Sequence, residues 1–191
     1  MATRDALEDG LLERLLRAGE TAWQDFEAHA ADRHHLFIPC DQRGAAKALE
    51  GLPRGLFVEL GSAAGVVTIA ADLLGFEAYG IEIEPWLVER SRELAARFAS
   101  RASFAEGSFV PADYRDEVDL LSSDFLTPTE GADGLEELGL SFTDIDVLFC
   151  YPRPNEHDWL RQLVHRYARP DALLLTYDGC EGFEVLTAGS L

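Results

Sequence analysis

Two acidic residues and a turn of small residues are the part of this 191-residue chain whose types and spacing could do chemistry. Glu59 lies in an apolar run that leads into Gly61-Ser62-Ala63-Ala64-Gly65, and Glu82 follows 21 residues after Gly61. The pattern predicts a buried strand, a tight turn, a helix and a second strand that ends in a carboxylate. Because parallel strands bring their carboxyl ends to one edge of a sheet, the pattern indicates a crevice for a nucleoside-type ligand.

The turn departs from the pattern of dinucleotide sites. Those sites use a G-x-G-x-x-G turn to hold a pyrophosphate over a helix N-terminus, whereas Gly61, Ala63 and Gly65 form G-x-A-x-G. A carboxylate at Glu59 that faced the ligand at about 4 Å would repel a phosphate by roughly 4 kcal/mol at an effective dielectric of about 20. An ammonium and a sulfonium reverse the sign, so Glu59 favours S-adenosylmethionine as cofactor. A nicotinamide-dependent dehydrogenase is the disfavoured alternative.

The same segment resembles the class I methyltransferase family, whose first strand ends in E/D-x-G-x-G-x-G. Glu59, Gly61 and Gly65 match that motif, and Ala63 stands where a glycine is usual. We expect an alanine to fit there only if its φ is negative. The resemblance covers about residues 37–183. It implies an α/β fold, a three-layer Rossmann-like sandwich with a mostly parallel sheet, helices on both faces and an abbreviated C-terminal hairpin.

The resemblance also implies contacts with S-adenosylmethionine. Glu82 would accept hydrogen bonds from two ribose hydroxyls, and Ile83 would lie against the adenine. Ser108 stands where many family members place an aspartate, with an ordinary turn serine as the equal alternative. Glu84 is instead predicted to cap the helix that begins at Pro85. The implied cofactor-binding set is Glu59, Gly61, Ser62, Ala63, Gly65, Glu82, Ile83, Gly107, Ser108 and Cys150.

The segment after the fourth predicted strand bears on the methyl acceptor. Family members that methylate exocyclic amines of bases carry D/N-P-P-Y/F there, and Cys150-Tyr151-Pro152-Arg153-Pro154 does not match. Tyr151 would line an acceptor pocket or merely shape the turn. His157 is a candidate base, with a capping role at a helix start as the alternative. No fixed catalytic residue is expected, because methyl transfer mainly requires positioning and desolvation.

The charge of the chain narrows the acceptor further. The 35 acidic and 16 basic residues give a net charge of −19, which disfavours a nucleic-acid acceptor because such binding needs clustered cations. A small molecule or a cationic protein segment suits this charge better. The helix beginning Glu84-Pro85-Trp86 resembles that of lysine-specific protein methyltransferases, so a protein lysine is one such acceptor. The alternative is a non-catalytic module that binds S-adenosylmethionine or S-adenosylhomocysteine.

Residues 1–191 are predicted to form one domain, with residues 1–50 as a helical extension packed on the core. An apolar stripe predicts a first helix over residues 5–31, which would pack on the sheet edge or cover the crevice. Asp41 is predicted to cap the short helix that follows it. Residues 109–143 are predicted to form a largely irregular substrate loop.

The chain carries no pattern typical of metal binding, disulfides or membranes. Cys40, Cys150 and Cys180 are widely spaced and odd in number, which predicts neither a disulfide framework nor a zinc site. No apolar stretch is long enough to span a bilayer, and the first residues do not form a secretion signal. These features predict a cytoplasmic protein.

Overall fold

Helices and strands alternate along the part of the chain that the computed structural model describes, which is residues 9–30, 38, 40–121, 127–153, 155–178 and 182–191. The predicted helical residues before position 9 and at position 31, together with Cys180, lie outside these ranges. The helices are α1 (Asp9–Ala30), α2 (Gln42–Glu50), α3 (Val66–Leu73), α4 (Pro85–Arg97), α5 (Arg115–Leu121), α6 (Gly134–Leu138) and α7 (His157–Tyr167). The strands are β1 (Leu56–Leu60), β2 (Glu77–Glu82), β3 (Ser103–Glu106), β4 (Val147–Cys150), β5 (Leu173–Asp178) and β6 (Gly182–Thr187).

The strands form one six-stranded sheet in the order β3-β2-β1-β4-β5-β6. Strands β1 to β5 are parallel to their neighbours, and β6 runs antiparallel to β5. The predicted mostly parallel α/β sheet with a short C-terminal hairpin is therefore confirmed. The chain order reverses where β1 lies beside β4, and ligands of such sheets bind outside the carboxyl ends of the strands at that point.

Alternate residues of β1 face opposite helical layers, because side chains along a strand alternate between the two faces of a sheet. Val58 and Leu60 belong to a buried cluster that includes residues of α5, α6 and α7. Phe57 packs on the other face, in a cluster with residues of α2 and α3. Glu59 shares the parity of Phe57, so its side chain begins on the α3 side of the sheet.

The N-terminal helix α1 packs against α3 and α4 and not on the sheet edge. Leu15 and Phe26 of α1 are fully buried in one cluster with Leu87 of α4. Gly19 allows the close approach, since a Cβ at this position would overlap the side chain of Val66. Neither α1 nor any other helix within the described ranges combines the length and apolar character that crossing a membrane requires.

The predicted irregular segment contains two short helices. α5 and α6 lie in residues 109–143, as expected, and the remainder of its described part has little regular structure. The predicted cap of α2 is also confirmed, because the Asp41 carboxylate accepts a hydrogen bond from the backbone N–H of Gly44 at 2.9 Å.

Candidate functional site

The turn after β1 has an alternating left-handed backbone. Gly61, Ala63 and Gly65 adopt φ values of 83°, 46° and 75°. The expectation of a negative φ at Ala63 was therefore wrong. The Ala63 N–H donates to Glu82 Oε2 at 2.8 Å, and this bond from the neighbouring strand stabilises the unfavourable backbone conformation. An alanine in this region costs about 1 kcal/mol or more.

Glu59 lies inside the fold and not at the rim of the crevice. Its Oε2 accepts hydrogen bonds from the backbone N–H of Thr68, at 2.9 Å, and from the Thr68 hydroxyl. The expected contact between this carboxylate and the ligand is corrected by its strand parity, which directs the side chain toward α3. Burial raises the pKa of Glu59 to about 8, against the two bonds from Thr68, which lower it.

The position of Glu59 still bears on the ligand. Thr68 is in the first turn of α3, so the carboxylate occupies the helix N-terminus where a dinucleotide site holds its pyrophosphate. The Ala63 N–H is also committed, to Glu82. The turn therefore disfavours a pyrophosphate, although for a different reason from the direct repulsion that the sequence suggested.

Glu82 ends β2 and is buried with three backbone donors on its carboxylate. Oε1 accepts from the N–H groups of Ile83 at 2.7 Å and Glu84 at 2.9 Å, and Oε2 accepts from Ala63. A carboxylate offers about four acceptor sites, so one remains, on Oε2. Burial raises the pKa of Glu82, and the three backbone bonds oppose that shift. Glu84 occupies the predicted N-cap position of α4, with Pro85 following it.

Ser108 combines a turn role with a place at the crevice. Its hydroxyl oxygen accepts from the N–H of Val110 at 3.1 Å, which is the bond of an ordinary serine turn, and its proton remains available to a ligand. The preceding Gly107 lies against the backbone of Ala132, where a Cβ would come within 2.6 Å of the carbonyl oxygen. Cys150 ends β4, and burial raises the pKa of its thiol.

Most of the predicted site residues line one cavity beyond the carboxyl ends of the strands. This set comprises Gly61, Ala63, Glu82, Ile83, Gly107, Ser108, Cys150 and Tyr151. Three other predicted residues support the turn from within. Glu59 is bonded to Thr68, Ser62 is buried with its hydroxyl unpaired within the described structure, and Gly65 packs beneath the ring of Phe104.

The two candidate catalytic residues have different surroundings. Tyr151 lines the cavity and stacks on Tyr177, with ring centroids 4.7 Å apart. Burial raises the pKa of Tyr151 to about 12, so its phenol stays protonated near neutral pH. His157 Nε2 lies 2.9 Å from the carbonyl oxygen of Tyr177. That bond holds the imidazole at the end of β5 and indicates a structural role for His157.

The sequence reasoning missed several residues that complete the cavity. Trp23 of α1 reaches the lining, although it was assigned only to the apolar stripe of the first helix. Thr127 comes from the irregular segment, and Arg153, Glu156 and Trp159 follow β4. Their position just beyond the carboxyl end of a central strand was the signal that could have identified the last three.

Metal ligation finds no support within the described ranges, where no group of three or more His, Cys, Asp or Glu side chains could hold an ion. Cys40 and Cys150 are both free thiols. Burial is the main cause that raises the pKa of Cys40 as well as that of Cys150.

Known proteins match parts of the sequence. No family model matches the chain. It is 41% identical over 63 residues to a lysine N-methyltransferase of Rattus norvegicus whose name gives part of the ATP synthase as its substrate, and the match covers 32% of this chain and 29% of the relative. It is 37% identical over 70 residues to the ribosomal protein L11 methyltransferase of Thermus thermophilus, covering 34% of this chain and 28% of the relative. The chain thus spans less than a third of the length of either relative.

The fold is similar to that of an RNA methyltransferase from Salinibacter ruber, solved in complex with S-adenosyl-L-homocysteine. The superposition has a TM-score of 0.53 and 20% sequence identity, and it covers 74% of this chain and 78% of the other. The chain therefore has the Rossmann-like fold of class I methyltransferases, as the turn motif suggested.

Proposed function

We propose that the chain is an S-adenosylmethionine-dependent methyltransferase. One observation carries the proposal. The Glu82 carboxylate and the turn from Gly61 to Gly65 border the same cavity, while Glu59 fills the adjacent helix N-terminus. This arrangement leaves an acceptor for a ribose hydroxyl and no vacant helix end for a pyrophosphate. The fold and the two methyltransferase relatives support the same function.

The cavity residues have complementary roles in this proposal. Glu82 Oε2 accepts from a ribose hydroxyl, and a second ribose bond would share an oxygen with a backbone donor. Ile83 provides an apolar surface for the adenine, and Ser108 donates to or accepts from its polar edge. Gly61 and Ala63 leave room for the amino-acid tail, because their side chains are absent or small. Tyr151 flanks the position of the transferred methyl group.

The bound cofactor supplies a methyl group already activated by a sulfonium. The chain's own residues therefore need to align the acceptor, exclude water and, for some acceptors, remove a proton. The apolar part of the lining, including Phe109, Trp159 and Leu160, provides the desolvated surroundings. Tyr151 acts by packing and not as a base, since its phenol keeps its proton near neutral pH.

The acceptor that we propose is a small molecule or a cationic protein segment, including a protein lysine. A net charge of −19 favours cations over nucleic acid. One relative is named as a lysine methyltransferase and the other as a ribosomal protein methyltransferase, and both names describe protein acceptors. We assign the activity to the cytoplasm, because the free thiols of Cys40 and Cys150 suit a reducing compartment.

The alternative is a module that binds the cofactor without transferring its methyl group. The left-handed φ of 46° at Ala63 favours this alternative, because the turn does not have the glycine that usually occupies this position. Release of S-adenosylhomocysteine from a panel of amines and basic peptides separates the two functions. Binding without release on any acceptor would support the module.

The cofactor assignment is tested by calorimetry with S-adenosylmethionine, S-adenosylhomocysteine and NAD. We expect Glu82→Ala to weaken binding of both adenosyl ligands at least tenfold, because it removes a charged hydrogen bond worth about 1.5–3 kcal/mol. Glu84→Ala is the matched control and should change affinity less than twofold. Equal loss in the two variants, or heat with NAD alone, would contradict the proposal. Circular dichroism of each variant excludes unfolding as the cause.

A further inference from the structure

A second buried carboxylate belongs to the cavity wall. Glu156 lies between β4 and α7 and is 6% exposed. Its Oε1 accepts from the Thr127 hydroxyl at 2.8 Å, and its Oε2 accepts from the backbone N–H of Arg153 at 3.3 Å. Although Glu156 occupies the N-cap position of α7, its side chain makes no capping bond to that helix. Helix capping therefore does not explain why this position is a glutamate.

The bonds to Glu156 leave much of its capacity unused. Both donors are neutral groups, and together they fill about half of the four acceptor sites of a carboxylate. Among the described residues, no arginine, lysine or histidine forms an ion pair with Glu156 within 4.0 Å. The Arg153 guanidinium attracts Glu156 only from a longer distance, and its direct bond is through the backbone N–H. A buried carboxylate without a paired charge is costly, which suggests that a ligand completes it.

The adjacent turn of α7 provides an independent sign of a polar ligand. Trp159 lies three residues after Glu156, lines the cavity and is 3% exposed. Its indole N–H is buried and has no hydrogen-bond partner in the described structure. The ring itself is fixed by stacking on Phe109, with centroids 6.3 Å apart. One wall thus carries an incompletely used acceptor and an unused donor among aromatic surfaces, which is typical of a ligand site.

We infer that Glu156 binds the nitrogen of an amine acceptor and takes its proton. This inference rests on the proposed methyltransferase function and narrows the acceptor to an amine. The amine arrives as an ammonium ion, whose N–H donates to a free site on the Glu156 carboxylate. A proton then passes from nitrogen to the carboxylate and leaves a nitrogen lone pair.

The rest of the reaction balances without another reactant. The nitrogen lone pair attacks the methyl carbon, the N–C bond forms and the C–S bond breaks. The electron pair of the C–S bond stays on sulfur, which becomes a neutral thioether, and the methylated nitrogen carries the positive charge. Glu156 then returns its proton to solvent. A carboxylate at this position serves an amine, because a carbon acceptor has no ammonium group for it to bind.

Arg153 provides the competing hypothesis, in which its guanidinium binds an acid-bearing acceptor. Three small probes of similar shape separate the two: n-butylamine, 1-butanol and butyrate, titrated by ligand-observed NMR at pH 7.5 with saturating S-adenosylhomocysteine. We expect n-butylamine to bind at least tenfold more tightly than 1-butanol, and butyrate to bind more weakly than either. Equal affinities, or a preference for butyrate, would overturn the assignment of Glu156.

Two substitutions on the same stretch of chain provide the second test. Glu156→Gln keeps the shape and an oxygen for Thr127, and it should reduce n-butylamine binding to the level of 1-butanol. Asp158→Asn removes the same charge from an exposed position two residues away, and it should keep the full preference. Both variants should bind S-adenosylhomocysteine within twofold of the unmodified chain. A preference for n-butylamine that persists in Glu156→Gln would refute the inference.

The outcomes also separate this inference from the proposed function. If S-adenosylhomocysteine does not bind, the methyltransferase proposal fails, and the probe comparison on the ligand-free chain still decides whether Glu156 binds amines. If the cofactor product binds and the probes show no amine preference, only the role of Glu156 fails. If Glu156→Gln proves unfolded by circular dichroism, the three-probe comparison on the unmodified chain decides.

Discussion

Replacing Glu59 by glutamine should make the protein more stable as the pH rises. The carboxylate is buried, and its pKa is raised to about 8 from an ordinary value of 4.5. The folded chain therefore holds the proton more tightly than the unfolded chain does. The stability linked to this proton is complete below about pH 4.5 and is lost as the pH rises through about 8.

The magnitude follows from the interval between the ordinary pKa and the pH of measurement. Each pH unit above 4.5 costs the unmodified chain about 1.4 kcal/mol until the folded pKa is reached. The Glu59→Gln variant, whose amide oxygen can still accept from Thr68, avoids that cost. It should exceed the unmodified chain by less than about 1 kcal/mol at pH 5 and by about 3 kcal/mol at pH 7. The second difference corresponds to a rise in Tm of about 6–12 °C.

Urea denaturation at pH 5, 6, 7 and 8 measures this difference for both chains. Glu50→Gln, which removes one exposed carboxylate from the end of α2, controls for the general effect of lowering a net charge of −19. The decisive quantity is the slope against pH of the difference between Glu59→Gln and the unmodified chain. A difference that stays constant between pH 5 and 8 would refute the reasoning, and so would a less stable glutamine variant at pH 7.

Two further predictions concern the turn and the end of β5. Ala63→Gly should raise the free energy of unfolding by about 1 kcal/mol, because glycine adopts a φ of 46° without strain. Gly65→Ala should lower it by more than about 2 kcal/mol, since a Cβ would lie 2.6 Å from the Phe104 ring; urea denaturation checks both, and a destabilised Ala63→Gly would contradict the account of the turn. His157→Ala should lower stability by about 1 kcal/mol through loss of its bond to the Tyr177 carbonyl. Its affinity for S-adenosylhomocysteine, measured by calorimetry, should stay within twofold, and a tenfold loss of affinity with unchanged stability would instead indicate a direct role in the site.

The order of the elements could be predicted because it depends on local patterns. The alternation of apolar runs and helical stripes identified every strand of the sheet, and the bounds of α2 and β6 agree with the sequence pattern. Asp41 was recognised as a cap because capping involves only the next three residues. These signals need no knowledge of the tertiary fold.

The direction of Glu59 could not be predicted in the same way. In a sheet covered on both faces by helices, buried positions do not alternate with polar ones, so the pattern along β1 does not reveal which face a residue occupies. Four consecutive residues from Phe57 to Leu60 are buried. The contact with Thr68, which depends on how α3 packs on the sheet, directs the carboxylate inward.

Bonds between distant residues account for the other differences. The backbone of Ala63 is stabilised by Glu82, 19 positions away, and this bond outweighs the local preference of alanine. Glu156 is tied to Thr127, 29 positions away, across the irregular segment. Neither pairing has a local sequence signature, so the shape of the turn and the second carboxylate of the cavity emerged only from the folded structure.

The three backbone bonds to Glu82 give one side chain two duties that selection cannot separate. The carboxylate that would grip a ribose also holds the amide of Ala63 and the start of α4. A mutation that retunes nucleoside preference at this position would also release the loop that shapes the pocket floor. New ligand specificity in this scaffold should therefore evolve through the β4–α7 side of the pocket, where side chains can change without dismantling the loop.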